Sequence, residues 1–297
     1  MKKNRVIKFE PRDRILDRAK KYIESVESFL DDRDQGISLL LRALKHADRE
    51  LKREIMFVLG TFAKEEVVWP LYDLMTDPSE DEEIRHDASI QLSVIGPFLR
   101  DPQSLVERLL KEIESSDPER RLHATFAFGW RRNSQAAIPL IERLFDSDLQ
   151  VQQAAVNALC NLRDDRVLDL LLDRLSHGPV EQKRIILFNL WRFYSKQEKV
   201  TRVYLKYLAH KDPDLRFDAL VGMGPMIKVG DHLDAYRKCL KDKDSRIREL
   251  ALKRLAEQSG KNVLESLRAK IEPLLNDPNM KVKKEALKIL RKNRSVK

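Results

Sequence analysis

The residue types that most often carry chemistry are sparse in these 297 residues. Six histidines stand far apart at His46, His86, His123, His177, His210 and His232. No two share HxxxH or HExxH spacing, so no single helix can present a pair of imidazoles to a metal. The two cysteines, Cys160 and Cys239, lie outside any CxxC pair. They suggest neither a disulfide framework nor a zinc site, and they fit a reducing, cytoplasmic setting. The chain also lacks a Walker loop, GxGxxG, GxSxG or a Cys-His arrangement. The expectation is a protein that is not an enzyme and uses no cofactor or metal.

What remains is a surface chemistry of aromatics, amides and lysines, whose meaning depends on the elements that aim them. Only 9 residues are glycine, 35% are charged and 42% are hydrophobic, a composition of helices with enough apolar material for a core. The chain should therefore be all-α. Its start, "MKKNRVIKFEPRDR", runs from basic residues into more charge where a signal peptide needs an apolar segment. No run of 18 uninterrupted apolar residues occurs, so neither export by that route nor membrane insertion is expected.

The organisation is a repeat. The segments "LKREIMFVLGTF" from Leu51, "IRHDASIQLSVI" from Ile84, "RRLHATFAFGWR" from Arg120 and "VQQAAVNALCNL" from Val151 align. "QKRIILFNLWRF" from Gln182, "LRFDALVGMGPM" from Leu215, "IRELALKRLAEQ" from Ile247 and "VKKEALKILRKN" from Val282 follow at similar spacing. An Asp-rich turn such as "SSDPE", "DSDLQ" or "KDPD" precedes nearly every one. Asp accepts from the free N–H groups of the coming helix, and Pro presets φ in its first turn. Other helical segments, such as "AAIPLIERLF" and "RVLDLLLDRL", lie between them. About eight helix-turn-helix units are expected.

This pattern resembles the HEAT family, in particular the phycobilisome-lyase HEAT-like (armadillo-type) variety, whose unit reads roughly Asp-Pro-x-[Val/Ile]-Arg-x-x-Ala-Ala-x-x-Leu-Gly. "DSDLQVQQAAVNALCNLRDDRVLDLLLDRL" matches a whole unit, and "DPDLRFDALVGMG" and "DKDSRIRELALKRL" come close. The resemblance implies a right-handed α-α superhelix, in which each repeat touches mainly its neighbours. It covers residues 35–297 as a single elongated solenoid domain. Residues 1–34 are left as a tail and capping helix, "PRDRILDRAKKYIESVESFL". Arg120, Arg131 and Gln182 occupy normally apolar positions, so the third and fifth units are expected to pack less regularly.

Counting each aligned helix from its first residue as offset zero, offsets 0, 4, 8 and 11 fall on one stripe at 100° per residue and should face the core. Phe128, at offset 8, is core by this count. Offsets 2, 3, 6 and 10 point away, toward what the family resemblance implies is the concave surface. The offset-6 row reads Phe57, Ile90, Phe126, Asn157, Phe188, Val221, Lys253 and Lys288, and five of the first six are apolar where solvent favours polar residues. Ile185, Phe217, Trp130, Asn161 and Arg192 join it from neighbouring rows. The expectation is a groove for a protein or peptide, as an amphipathic helix or an extended segment, with Asn157, Asn161 and Arg192 available to hydrogen-bond it. Shielding of these side chains by one another, or by a second copy, is the competing reading, and the oligomeric state is left open.

Charge is uneven along the chain. The formal balance is +9, yet residues 54–150 hold 10 basic and 19 acidic residues, whereas 251–297 hold 13 and 5. Lys253, Lys284, Lys288 and Lys292 form a stripe that could meet an anionic partner, including nucleic acid, although a solvated terminal cap is the favoured account. Enzymes within the family set further alternatives. Deoxyhypusine hydroxylases use His-Glu pairs, which are absent here. HEAT-like DNA repair glycosylases use a basic channel with aromatics and a carboxylate, for which only Trp130 with Asp87 or Asp218 could be considered. Bilin lyases share the repeat type, so a lyase-like enzyme or chaperone is a third reading. The scaffold or adaptor reading comes first.

Overall fold

The computed structural model describes residues 11–25, 33–193, 196–224, 232–258 and 265–292. Among them are 17 α-helices and no strand. Helix α1 spans Arg12–Glu24, and residues 26–30 of its candidate capping stretch lie outside the described residues. Eight helix pairs follow. They are α2 (Arg33–Leu44) with α3 (Arg49–Phe62), α4 (Glu65–Thr76) with α5 (Glu82–Ile95), α6 (Gln103–Glu112) with α7 (Pro118–Phe128), and α8 (Ala137–Arg143) with α9 (Leu149–Leu162). Then come α10 (Asp165–His177) with α11 (Val180–Asn189), α12 (Gln197–Tyr207) with α13 (Pro213–Met223), α14 (Leu233–Cys239) with α15 (Ser245–Gln258), and α16 (Arg268–Ile271) with α17 (Met280–Lys292). None of these helices is long and apolar enough to cross a membrane.

The turns start helices for the reason their composition suggests. Asp48 accepts from the N–H of Leu51, Asp81 from Glu83, Asp117 from Glu119, Asp148 from Gln150 and Val151, and Asp212 from Asp214 and Leu215. Pro118 and Pro213 open α7 and α13, where a missing N–H costs nothing. The expected inward stripe holds at offsets 4 and 8, buried in every repeat from Ile55 and Leu59 to Ala286 and Leu290, but not throughout at offsets 0 and 11, where Arg120 and Arg131 are exposed and Gln182 and Phe62 half-buried.

The chain forms two compact units, residues 1–167 and 168–297. In the first, α3, α5, α7 and α9 stack in succession, backed by α4, α6 and α8, and α1 packs on α2 and α3. In the second, α11, α13, α15 and α17 do the same, backed by α12, α14 and a 3-10 turn at Glu272–Asn276. The irregular repeats have local causes. Arg120 swings outward to make two bonds to Glu112, of 2.7 and 2.8 Å, in place of the missing apolar side chain. Helix α11 ends at Asn189 and continues as a 3-10 turn, while the Tyr204 hydroxyl donates to the Leu187 carbonyl at 2.9 Å. Gly222 allows this close approach, since a Cβ there would lie 2.4 Å from the same carbonyl oxygen.

A second fastening runs along the turns. Arg121, one residue into the repeat motif, makes two parallel bonds to Asp146 at 2.9 and 2.8 Å and donates to the Ser115 and Ser116 carbonyls behind it. Arg216 repeats this with Asp242 and the carbonyls of His210 and Lys211, and Arg248 with Asp277 and those of Asp242 and Lys243. Each Asp also accepts the N–H two residues on, from Asp148, Asp244 or Asn279. The pairings Arg85–Glu119 and Lys52–Glu80 serve the earlier repeats. The Arg of the repeat motif thus ties its own turn to the next one through a bidentate, charge-assisted contact.

Candidate functional site

In unit 1 the exposed apolar row lies on successive stacked helices. Phe57 on α3 is 66% exposed, Ile90 and Val94 on α5 are exposed, and Phe126 on α7 is half-buried. Asn157 on α9 is also half-buried and accepts from the Gln153 amide at 3.2 Å, whereas Asn161 is exposed. Beside the row, Arg53 donates to Asp87 at 2.6 Å and Arg49 pairs with Glu83, so α3 is clamped to α5 on this face. The bond from Arg49 holds the Glu83 carboxyl below its usual range, and that to Asp87 holds the Arg53 guanidinium above its own.

Between α5, α7 and α9 the face opens into a pocket of about 530 Å³, floored by Leu122, His123 and Phe126 and rimmed by His86, Glu83, Leu149 and Gln153. His86 meets Phe126 edge to face at 4.7 Å and lies 6.0 Å from the His123 ring. His123 is 2% exposed and its Nε2 has no hydrogen-bond partner. Burial, aided by the charges of His86 and Arg85, pushes its imidazole down to about 4, so it is neutral at physiological pH.

Trp130 does not belong to this face. It is 4% exposed, packs edge to face on Phe128 at 5.8 Å and sits against Gly96. The count of 100° per residue assumed that the helix continued, but α7 stops at Phe128 and the chain turns at Gly129, which carries the indole into the core. Arg192 is displaced for the same reason. It falls in the 3-10 turn after α11, half-buried, with its guanidinium 5.1 Å from the Trp191 ring.

Unit 2 carries a corresponding row. Phe188 on α11 is 54% exposed, and Ile185 and Phe217 are half-buried. The clamp recurs too, as Arg184 to Asp218 at 2.6 Å, and Arg246 lies 5.3 Å from the Phe217 ring while bonding Asp214. Both units therefore pair an Arg at offset 2 with an Asp at offset 3 of the next repeat. The lysine stripe on this face is partly neutralised, since Lys253 pairs with Glu249 at 2.6 Å and Lys288 lies 3.9 Å from Glu285. Lys284 is exposed, and the Lys292 side chain lies outside the described residues.

Sequence reasoning overlooked Val94, although it occupies offset 10 and the same periodicity points to it. The His86–His123 pocket and the Arg–Asp clamps were also missed. A column-by-column reading of the aligned repeats, rather than a search for motifs along the chain, carries the signal for the clamps. Among the described residues, no group of three or more His, Cys, Asp and Glu side chains could hold a metal ion.

Residues 106–190 match the family model of HEAT repeats. No curated protein matches the chain. A chain from the structure in which Kap95p binding induces the switch loops of RanGDP to adopt the GTP-bound conformation aligns with 92% of this chain and 41% of its own, at TM-score 0.50 and 14% identity. A chain of the AP-3 complex in an intermediate open conformation aligns over 95% and 55%, at 0.49 and 13%. One from the CpcE–CpcF phycocyanin lyase complex of Nostoc sp. PCC7120 aligns over 88% and 94%, at 0.39 and 19%. The chain spans about half the length of the first two or less, and at these identities the likeness is one of fold. The capped turns and buried stripes make each unit a stack of helix pairs, and residues 106–190 are similar to HEAT repeats.

Proposed function

We propose that the chain is a non-catalytic, cytoplasmic scaffold or adaptor that binds a protein partner on the face bearing the offset-6 row. One observation carries this reading: Phe57, Ile90 and Val94 stand exposed on adjacent stacked helices, next to a pocket lined by Phe126 and Leu122. A contiguous apolar row of this kind, rimmed by charge, is costly to leave in water and suits an amphipathic helix or an extended segment. Burying an exposed Phe or Ile contributes about 1.5–3 kcal/mol, so a few such side chains can offset the entropy lost on association. The fold likeness to the Kap95p-containing structure agrees with this reading.

The test compares affinity capture by the wild type, by Phe57→Asp/Ile90→Asp, and by Ile138→Asp, a substitution at another exposed apolar side chain on α8, with sedimentation velocity run on each. A protein held by the wild type and Ile138→Asp but lost from the double variant supports the assignment. A partner retained by all three places binding elsewhere. Concentration-dependent dimers broken only by the double variant show that a second copy covers the row.

A further inference from the structure

Unit 2 has a second feature, away from its apolar row. Two adjoining clefts lie along its turns. One, of about 1270 Å³, is formed by the end of α12, the turn into α13, helix α14 and the Lys-Asp-Lys-Asp turn into α15. The next, of about 560 Å³, shares Lys241, Asp242 and Lys243 with it and extends to α16 and Asp277. The carboxylates that line them are already engaged. Asp242 and Asp277 each hold an Arg through two bonds, Asp244 holds Arg246, and Asp234 holds Arg237. Lys211, Lys238, Lys241, Lys243 and Lys270 are all exposed, and none makes an ion pair among the described residues.

The Arg–Asp fastening therefore has an electrostatic consequence. By neutralising each turn Asp with an internal Arg, it leaves the lysines as the uncompensated charge of the clefts. Five cations distributed over two connected clefts match an extended polyanion better than one small anion. Neither lining contains Phe, Tyr or Trp, and His210 and His232 are the only aromatic rings in them, a poor platform for stacking a run of unpaired bases. We propose that this edge of unit 2 binds the phosphate backbone of a double-stranded nucleic acid without regard to sequence, independently of the protein-binding face.

The test is fluorescence anisotropy with a labelled 20-base-pair duplex between 50 and 200 mM salt, as DNA and as RNA, with a single strand of equal length alongside. Five phosphate contacts give a log–log slope near −4.5 for B-form DNA, a weakening of about 500-fold over that range. Lys238→Gln/Lys241→Gln/Lys243→Gln should reduce the steepness by about 2.7. Lys253→Gln/Lys284→Gln/Lys288→Gln, on the other face, should leave it unchanged. All six substitutions lie on exposed side chains, and unaltered thermal melts will verify that both variants fold. Failure to bind either duplex at 50 mM salt overturns the proposal, as does a slope that follows the second triple variant. Preference for the single strand overturns it too, as does cleft-dependent binding to anionic phospholipid vesicles in place of duplex.

Discussion

Removing one partner of the Arg121–Asp146 contact tests whether the turn-edge fastening carries stability. The two side chains are 10% and 3% exposed, so neither charge can be rehydrated without local opening. Burial pushes the Asp146 carboxyl upward, but the bonds from Arg121 and the Asp148 N–H, with the charges of Arg121 and Arg143, more than reverse this and hold it below its usual range. Asp146→Ala leaves the Arg121 guanidinium bonded only to the carbonyls of Ser115 and Ser116, with its charge uncompensated. The expected loss is about 3–5 kcal/mol, the range for stripping one partner from a buried pair. Arg121→Met should cost less, because Asp146 keeps Arg143 at 3.3 Å and the Asp148 N–H at 2.9 Å. The depressed carboxyl makes its contribution above its unfolded pKa of about 3.9 and loses it as pH falls through the lower folded value, so the comparison belongs at pH 7. The assay is urea unfolding followed by tryptophan emission in a Trp191→Phe background, where the remaining Trp69 and Trp130 both report on unit 1. Lys253→Ala, which breaks an exposed pair in unit 2, should change a parallel circular dichroism melt by less than about 1 kcal/mol. A loss below about 1 kcal/mol for Asp146→Ala would refute the reasoning and return the stability to the apolar stripes alone.

Other predictions test the core and the pocket. His123 has a depressed folded pKa of about 4, so between there and about 6.5 the unfolded chain takes up the proton first and stability falls with pH. Acidification from pH 7 to 4.5 should cost the wild type about 2–3 kcal/mol more than His123→Leu in urea unfolding, and equal losses would contradict the burial of this imidazole. Gly96→Ala places a Cβ 2.4 Å from the Trp130 ring and should cost about 1–3 kcal/mol with a red shift in emission; an unchanged melt and spectrum would show that the ring has room. Phe128→Ala should lose about 3–5 kcal/mol and Phe57→Ser under about 0.5, since the first ring is fully buried and the second lies open. Comparable losses at the two positions would mean that the helical register is wrong.

The fold was legible because the repeat restates most of its instructions along the chain. An Asp before a run with apolar residues every three or four positions marks both where a helix starts and which side it buries. That logic assigned Phe128 to the core and Phe57 and Phe188 to the surface. It failed at Trp130 and Arg192, where the helix ends before the count does. Gly129 was visible in the sequence, but glycine also stands at offset 9 in Gly60, which lies inside α3, so the residue type alone could not announce the break. The Arg–Asp fastening escaped notice for another reason. Its partners are 25 to 29 residues apart, and each Asp is also a plausible turn residue, so no local pattern exposes the pairing.

The division of labour within a repeat follows from these contacts. Offsets 4 and 8 supply the apolar interior, and the turn Arg and Asp secure one repeat to the next at the edge. Offset 6 lies outside both, with Phe126 packing on His86 as a partial exception, and it varies from Phe57 through Asn157 to Lys288 without interrupting the helices. A position free of structural duty usually drifts toward polar residues, because exposed apolar area favours aggregation. Phe57, Ile90, Phe126 and Phe188 depart from that drift in both units, on helices whose inward stripes are already complete. Phe57 and Phe188 fill no part of those stripes, and this is the ground on which a partner is proposed for the row.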